Sequence, residues 1–458
     1  MLILTMIVIL TVVLAPRLTL WQIHNAADGH GYQTLLDAKA AILAHAANPG
    51  ADTVPGRRLG QISLTPDLPV LAGSGYDGLS KPGCATRTWA PGQALIDPNT
   101  YAAPLNVRCF GRFPWLSFGL PGPSTPDDQL GEVPWIFMSG NLVVGAACLP
   151  NLNPLMLSSA YTTGGCPSTV PFPWLRVVDA RGNLLSSEVA IVLILPGPPV
   201  QNGQTRSAPI DHAPAAYLEG LTVAAGCPTP CVPGTYNNAA YTVASGLNWT
   251  FIDAPASTSL SPPPAYYTAP FQFNDHLIYI TASEYFEAME QRARLAVLAT
   301  LSAYRAAKGY LPYSGDYPST PLSSSCTRNS RFGLLPQAPS CLGTVNYPAW
   351  LTLAGWGSYF IYAVDPGCTA GAAAPPCLAP GLRLGGAAQR YNAVLFSPGR
   401  AIQSVPYAAS KGAPQAPLGG SASLADFLDS ASNLAGPPFD AAGTLLTTNY
   451  DDRMYGIP

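Results

Sequence analysis

Two stretches of this sequence carry the same blocks in the same order. Phe113-Pro114-Trp115-Leu116-Ser117-Phe118-Gly119 is matched by Tyr347-Pro348-Ala349-Trp350-Leu351-Thr352-Leu353-Ala354-Gly355. Trp135-Ile136-Phe137-Met138 is matched by Phe360-Ile361-Tyr362-Ala363. Ala190-Ile191-Val192-Leu193-Ile194-Leu195-Pro196-Gly197 is matched by Asn392-Ala393-Val394-Leu395-Phe396-Ser397-Pro398-Gly399. Ala216-Tyr217-Leu218-Glu219 answers to Asp426-Phe427-Leu428-Asp429, and Phe273-Asn274-Asp275-His276-Leu277 to Tyr450-Asp451-Asp452-Arg453-Met454. Agreement in order across all of them is far stronger than any one match, and it means that one structural unit is used twice.

Each set is preceded by a helical pattern. Before the second, Thr281-Ala282-Ser283-Glu284 forms a capping box. Apolar residues follow at helical spacing at Phe286, Met289, Ala293, Val297, Leu301 and Tyr304, and Gly309 supplies a natural stop. Tyr310 to Ser325, rich in Pro, Ser and Tyr, reads as a linker to the second β body. Before the first set, Leu35/Leu36, Lys39, Ile42/Leu43 and Ala46 make an amphipathic stripe that Asn48-Pro49-Gly50 ends. The expected fold is α+β: an N-terminal helix over 1–48, a first β-rich module over 49–282 and a second helix-plus-β module over 283–458, with antiparallel sheets, many loops and disulfide staples.

Composition narrows the function. Apolar residues make up 48% of the chain, enough for a sizeable core, whereas charged residues make up only 10%, against about 25% in an average soluble domain. The net charge is −3 and there is no basic run, which argues against nucleic-acid binding, since that needs clustered Lys and Arg to neutralise phosphates. Few charges, 49 Pro, 43 Gly and ten Cys fit an exported surface protein built of strands, turns and long loops.

The N-terminus is apolar. Met1, Leu2, Ile3, Leu4, Met6, Ile7, Val8, Ile9, Leu10, Val12, Val13 and Leu14 are interrupted only by Thr5 and Thr11. Those hydroxyls can bond back to their own helix backbone. A signal peptide would start with a basic region and end at a small-residue cleavage site; neither is clear, and residue 1 opens on the apolar run as though a leader had already been removed. The run is short for a lone spanning helix, which needs about 20 residues, but counted on to Ile23 it suffices, with Arg17 near the interface. Pro16, Gly29 and Gly31 make the middle of this helix breakable.

An apolar half-helix, a breakable middle and an amphipathic half-helix resemble the mature N-terminus of type IV pilins and type II secretion pseudopilins. The block set, with Ala38-Lys39-Ala40-Ala41-Ile42-Leu43, the Phe-Pro-Trp block and the Phe-Asn-Asp block, resembles large prepilin-like proteins of proteobacteria over most of the chain. The resemblance implies two pilin-like headgroups in tandem and a chain held in the inner membrane before assembly. It further implies a pilus assembly machinery as partner, and an extracellular filament of a Gram-negative bacterium in which copies of the chain pack through their N-terminal helices. One departure bears on this. Such pilins carry a Glu at the fifth mature position, which pairs with a neighbour's N-terminal amine, and here that position is Thr5. Assembly would then rest on apolar packing alone, or the chain is a minor or tip subunit that primes assembly or adheres to a surface. An anchored surface hydrolase is the third reading.

The Cys are Cys84, Cys109, Cys148, Cys166, Cys227, Cys231, Cys326, Cys341, Cys368 and Cys377. An even number in an exported chain reads as a disulfide framework. The repeat chooses the connectivity: Cys84 and Cys109 precede the Trp115 block as Cys326 and Cys341 precede the Trp350 block, and Cys148 and Cys166 follow the Trp135 strand as Cys368 and Cys377 follow the Phe360 strand. Neighbours are therefore expected to pair, with Cys227–Cys231 as the extra bridge. The absence of Cys-x-x-Cys and of nearby His argues against zinc or haem.

Nothing in the sequence reads as an active site, and no catalytic residue and no cofactor is assigned. The five His, at 24, 30, 45, 212 and 276, form no helical metal-ligand pair. No nucleophile elbow, phosphate loop or dinucleotide fingerprint is present. Asp127-Asp128-Gln129-Leu130-Gly131-Glu132 offers oxygen ligands for Ca²⁺ without the EF-hand spacing and reads first as a solvated turn. Asn274/Asp275 and Asp451/Asp452 recur at equivalent places and read first as turn caps, with Ca²⁺ or a subunit contact as the other reading. Trp115, Trp135, Trp350 and Trp356 are expected in cores, with subunit contacts as the other reading.

Overall fold

A computed structural model describes residues 31–47, 107–120, 134–139, 142, 174–197, 217–227, 229, 231–238, 250–254, 273–316, 326, 330–337, 341–353, 356–372, 376–384, 389–398, 428, 439 and 453–458. The apolar segment Met1–Leu14 with Pro16, the acidic turn 127–132, and Cys84, Cys148 and Cys166 lie outside the described residues. The chain divides into two compact units. Described residues up to Leu43, between Ser63 and Val143 and between Pro173 and Ala282 belong to the first; those from Ser283 to Pro458 make up most of the second.

A helix over 31–47 (α1), which belongs to the first unit as far as Leu43, precedes the strands. Leu35, Ala38, Ile42 and Ala46 are fully or nearly fully buried, the face that helical spacing aligns. Leu36, expected on the same stripe, is exposed; it lies about 100° round the helix from Leu35, so the two cannot share a narrow face. The strands are β1 (Val107–Arg112), β2 (Trp135–Ser139), β3 (Leu175–Asp179), β4 (Leu184–Leu195), β5 (Gly220–Val223), β6 (Gly234–Asn237), β7 (Thr250–Asp253) and β8 (His276–Thr281). The sheet runs β1-β2-β4-β3-β7, with β8 on β4 as well, and β5 and β6 form a separate hairpin. β4 serves two neighbourhoods: its first half pairs with β3, and its second half lies between β2 and β8. That second half, from Val189 to Leu195, is buried throughout, which is why it reads as an unbroken apolar run rather than an alternating one. Lys39 Nζ on α1 donates to the Tyr279 carbonyl of β8 at 2.9 Å, which lays the helix on this sheet.

In β3 and β7 successive residues face two different cores. Val177 and Phe251 join Trp135, Phe137, Val192, Ile194 and Leu277 on one side. Val178 and Ile252 join Leu221, Val223 and Phe273 on the other, beneath the β5–β6 hairpin. The β3–β4 turn is set locally: Gly182 sits at φ +80°, and Asp179 Oδ1 accepts from the amides of Arg181 and Asn183.

The second unit begins with α2 (Ala282–Lys308), whose expected apolar positions are all buried. It stops at Gly309 with φ +80°, where the Gly309 amide closes on the Arg305 carbonyl at 2.7 Å, a left-handed cap that glycine accommodates best. Then come β9 (Phe332–Leu334), a short helix α3 (Ala349–Leu353), β10 (Ile361–Val364), β11 (Leu382–Arg383), β12 (Arg390–Tyr391), β13 (Ala393–Ser397) and β14 (Arg453–Ile457). The main sheet runs β14-β13-β10-β9, and β11 and β12 form a small hairpin. The expected linker from Tyr310 is, in its described part, no exposed tether. Leu311, Ser314 and Asp316 are buried, and Gly315 bridges to Leu334 beside β9, because apolar Leu311 and the Gly turn let the segment fold onto the sheet edge.

The two units share one path: β1-β2-β4-β8 in the first and β9-β10-β13-β14 in the second, antiparallel at every step. The Trp115 turns and α3 occupy the same connection. Leu195 faces His276 and Ile194 faces Leu277; Ser397 faces Arg453 and Phe396 faces Met454. These are the partners that the block matching pairs. The neighbouring ladder differs by one residue. Trp135 faces Ile194, but Ile361, not Phe360, faces Phe396. Matching aromatic to aromatic placed Phe360 on Trp135; the backbone ladder sets the register and a one-residue slip exchanges faces. Cys109 and Cys341 both precede the block expected of them, at different places. Cys109 lies within β1, whereas Cys341 follows β9.

The described residues hold three disulfides, Cys227–Cys231, Cys326–Cys341 and Cys368–Cys377, each joining neighbours in the order expected. Trp135, Trp350 and Trp356 are buried, and Trp115 is half-buried.

Candidate functional site

Asn274 and Asp275, which the sequence offers as turn caps, are buried at the entry to β8 and meet residues from three other segments. Glu219, immediately before β5, is 1% exposed, and Asn238, immediately after β6, is 0% exposed. The Glu219 amide donates to Asp275 Oδ2 at 3.0 Å. Asn238 Nδ2 donates to the same oxygen at 3.1 Å and to the Ile252 carbonyl of β7 at 3.2 Å. Asn238 Oδ1 accepts from the Ile252 amide at 2.9 Å, and the Asn238 amide donates to the Glu219 carbonyl at 2.9 Å. The Asn274 amide donates to Glu219 Oε2 at 3.2 Å. These contacts tie both ends of the β5–β6 hairpin to β7 and to the start of β8.

Two carboxyl groups in hydrogen-bond contact sit inside this cluster. Burial first, and then the neighbouring Glu219 carboxylate, hold the Asp275 carboxyl well above the usual range, because like charges in a dry site cannot both ionise cheaply. The Asn274 side chain lies against Gly197, where any Cβ would collide with it, so this position after β4 suits glycine.

The second unit has its own buried acid. Glu290, on the buried face of α2, accepts from the hydroxyls of Tyr455 at 2.8 Å and Tyr359 at 3.1 Å. Tyr359 also shares a 2.6 Å contact with Ser397 Oγ on β13. Arg453 lies 4.0 Å from Glu290 and 3.3 Å from Glu287, and the Arg294 guanidinium stacks over the Tyr455 ring at 4.2 Å. Burial, and then Glu290, push the Tyr455 phenol up. Arg453 aligns with His276 in the repeat, and both stand at the first position of the last strand.

Among the described residues no group of three or more His, Cys, Asp or Glu could hold a metal ion, and no helix is long and apolar enough to cross a membrane. His45 and His276 are far apart in the order of elements, on α1 and β8. Sequence reasoning singled out Asn274 and Asp275 but passed over Asn238 and Glu290, and it noted Glu219 only as part of a block. Glu290 left a signal: it is a charge beside Met289 on the apolar stripe of α2. Asn238 left none. No protein family, no curated protein and no solved structure matches this chain.

Proposed function

We propose that this chain is a structural subunit of an extracellular filament of the type IV pilus kind, polymerising through its apolar N-terminal segment and displaying two pilin-like modules. The observation that supports this most is the repeated unit: a helix beside an antiparallel sheet, twice, with the same four-strand path. A headgroup of that kind buries one face of its helix on the sheet and leaves an N-terminal apolar extension free to pack with copies of itself. Disulfides across the loops suit a chain with few charges working outside the cell. A structural rather than catalytic role is favoured by the buried acids. Glu219, Asp275 and Glu290 are each at most 3% exposed, and each accepts internal hydrogen bonds.

Electron microscopy of material sheared from cells, with the chain identified by mass spectrometry, tests this reading. Filaments made mainly of this chain are expected. A few copies beside another, more abundant subunit would assign it to the minor or tip position, and its absence from any filament would overturn the proposal.

A further inference from the structure

The cluster at the base of the β5–β6 hairpin is built as a latch. Asp275 Oδ2 receives hydrogen bonds from the Glu219 amide and from Asn238 Nδ2, while Asp275 Oδ1 is buried and meets no donor. An acceptor so placed is costly, whereas a protonated Asp275 carboxyl becomes a donor to the Glu219 carboxylate that its side chain meets. We propose that Glu219 and Asp275 share one proton, and that this proton latches the β5–β6 hairpin over the second core of the first unit, so that the hairpin opens as the proton is lost with rising pH.

The groups facing the pair come from every element around it. Glu219 comes from the segment before β5, and Asn238 from the end of β6. β7 brings Ile252, and β8 brings His276, next to Asp275 in the chain; the neighbouring Asp253 of β7 is exposed and answers to His276 rather than to the pair. Asn274 and Asn238 cannot change charge, so loss of the proton leaves the two carboxylates facing one another. Release of the hairpin uncovers Leu221 and Val223, which pack with Ile252 and Phe273.

Hydrogen exchange of the whole chain, read by mass spectrometry across 220–223 and 234–237, tests the latch, with the amides of α2 as reference. Opening coupled to one proton makes protection, corrected for intrinsic exchange, fall about tenfold per pH unit above the ordinary carboxylate range. The wild type is expected to show that slope. Asp275→Asn keeps an acceptor and a donor in the same places, and Glu219→Gln keeps the acceptor for Asn274; each is expected to flatten it. His276 remains in both variants, so a response due to His276 would persist. An unchanged slope in both variants overturns the proposal, as does a wild type without the slope. Protection restored at high pH by millimolar Ca²⁺ in the wild type, but not in Asp275→Asn, also overturns it, by making the pair a cation site. Should both variants fail to fold, infrared spectroscopy of the wild type decides. A buried protonated carboxyl at neutral pH that disappears as protection falls is required, and its absence sinks the latch.

Discussion

The Tyr455 hydroxyl donates to Glu290 Oε1 at 2.8 Å, joining the last strand of the second unit to its helix. Tyr359 takes the other oxygen at 3.1 Å, and Arg453 stands at 4.0 Å. Glu290→Ala would leave two phenols without their acceptor and Arg453 short of one of its two carboxylates. Breaking a buried, charge-assisted network of this kind costs about 3 kcal/mol or more. We expect chemical denaturation to show that loss, with Tyr455→Phe costing about half of it. A double-mutant cycle between positions 290 and 455 should give a coupling well above zero; strict additivity would mean the contact carries no energy. Because the folded state holds the Tyr455 proton more tightly than the unfolded chain does, stability is full below the ordinary tyrosine range and declines as pH climbs through it. Tyr455→Phe should reduce that alkaline decline.

Gly456 marks a close approach. A Cβ at this position of β14 would run into the ring of Tyr391 on β12. Gly456→Ala is therefore expected to destabilise by about 1–3 kcal/mol. Tyr391→Ala should relieve most of the clash, so the double variant should lose less than the sum of the two single changes. Thermal melts of the four proteins in the cycle measure this, and a sum that simply adds would refute the contact.

The outline of the fold was legible where a period is long and consistent. The stripe from Phe286 to Tyr304 repeats over several turns, so α2 could be read with its glycine stop. β4 and β13 were legible because central strands covered on both faces become apolar runs. The one-residue slip between Phe360 and Ile361 was not legible: side-chain likeness favours aromatic on aromatic, whereas the hydrogen-bond ladder fixes which residue faces Phe396. The carboxyl pair was hidden for a different reason. Glu219 and Asp275 are 56 residues apart, and each by itself reads as a polar residue at a turn. Only the return of the chain between β5 and β8 brings them together, and no local pattern announces a contact that long-range topology makes.

Asn238 should matter more than a loop asparagine normally does. Its side chain answers both the amide and the carbonyl of Ile252, and reaches Asp275 as well. Asn238→Ala leaves buried backbone groups on β7 unsatisfied, at about 1–3 kcal/mol each at most. The loss should appear first as faster hydrogen exchange in β5, β6 and β7, with α2 unaffected. Equal loosening of both units would contradict a role confined to the hairpin base.

The disulfides should not be worth the same. Cys326 and Cys341 are 15 residues apart, whereas Cys227 and Cys231 are 4 apart. On the chain-entropy account the longer loop stabilises by about 3 kcal/mol and the shorter by about 2. Paired Cys→Ser variants, compared by denaturant midpoint with unchanged slope, measure the difference. A larger loss from the short loop would show that its bridge acts through packing near Tyr236 and the second core rather than through the unfolded chain.

On the proposed filament reading, assembly can be separated from folding by one substitution. Ile9 lies within the apolar run from Met1 to Leu14. A carboxylate at the centre of an apolar helix costs about 2.5–3.5 kcal/mol against membrane insertion, and the run from Met1 to Leu14 holds no basic residue to pair with it. Ile9→Asp is therefore expected to abolish filaments. Among the described residues each module has a core of its own: the second is closed by α2 and by its own disulfides, and the first by α1 and the carboxyl cluster. Their circular dichroism, protease resistance and melting should accordingly match the wild type. Filaments of normal length from Ile9→Asp would contradict assembly by apolar packing. Loss of both filaments and folded modules would mean that the N-terminal segment belongs to the core of the headgroup rather than to the polymer.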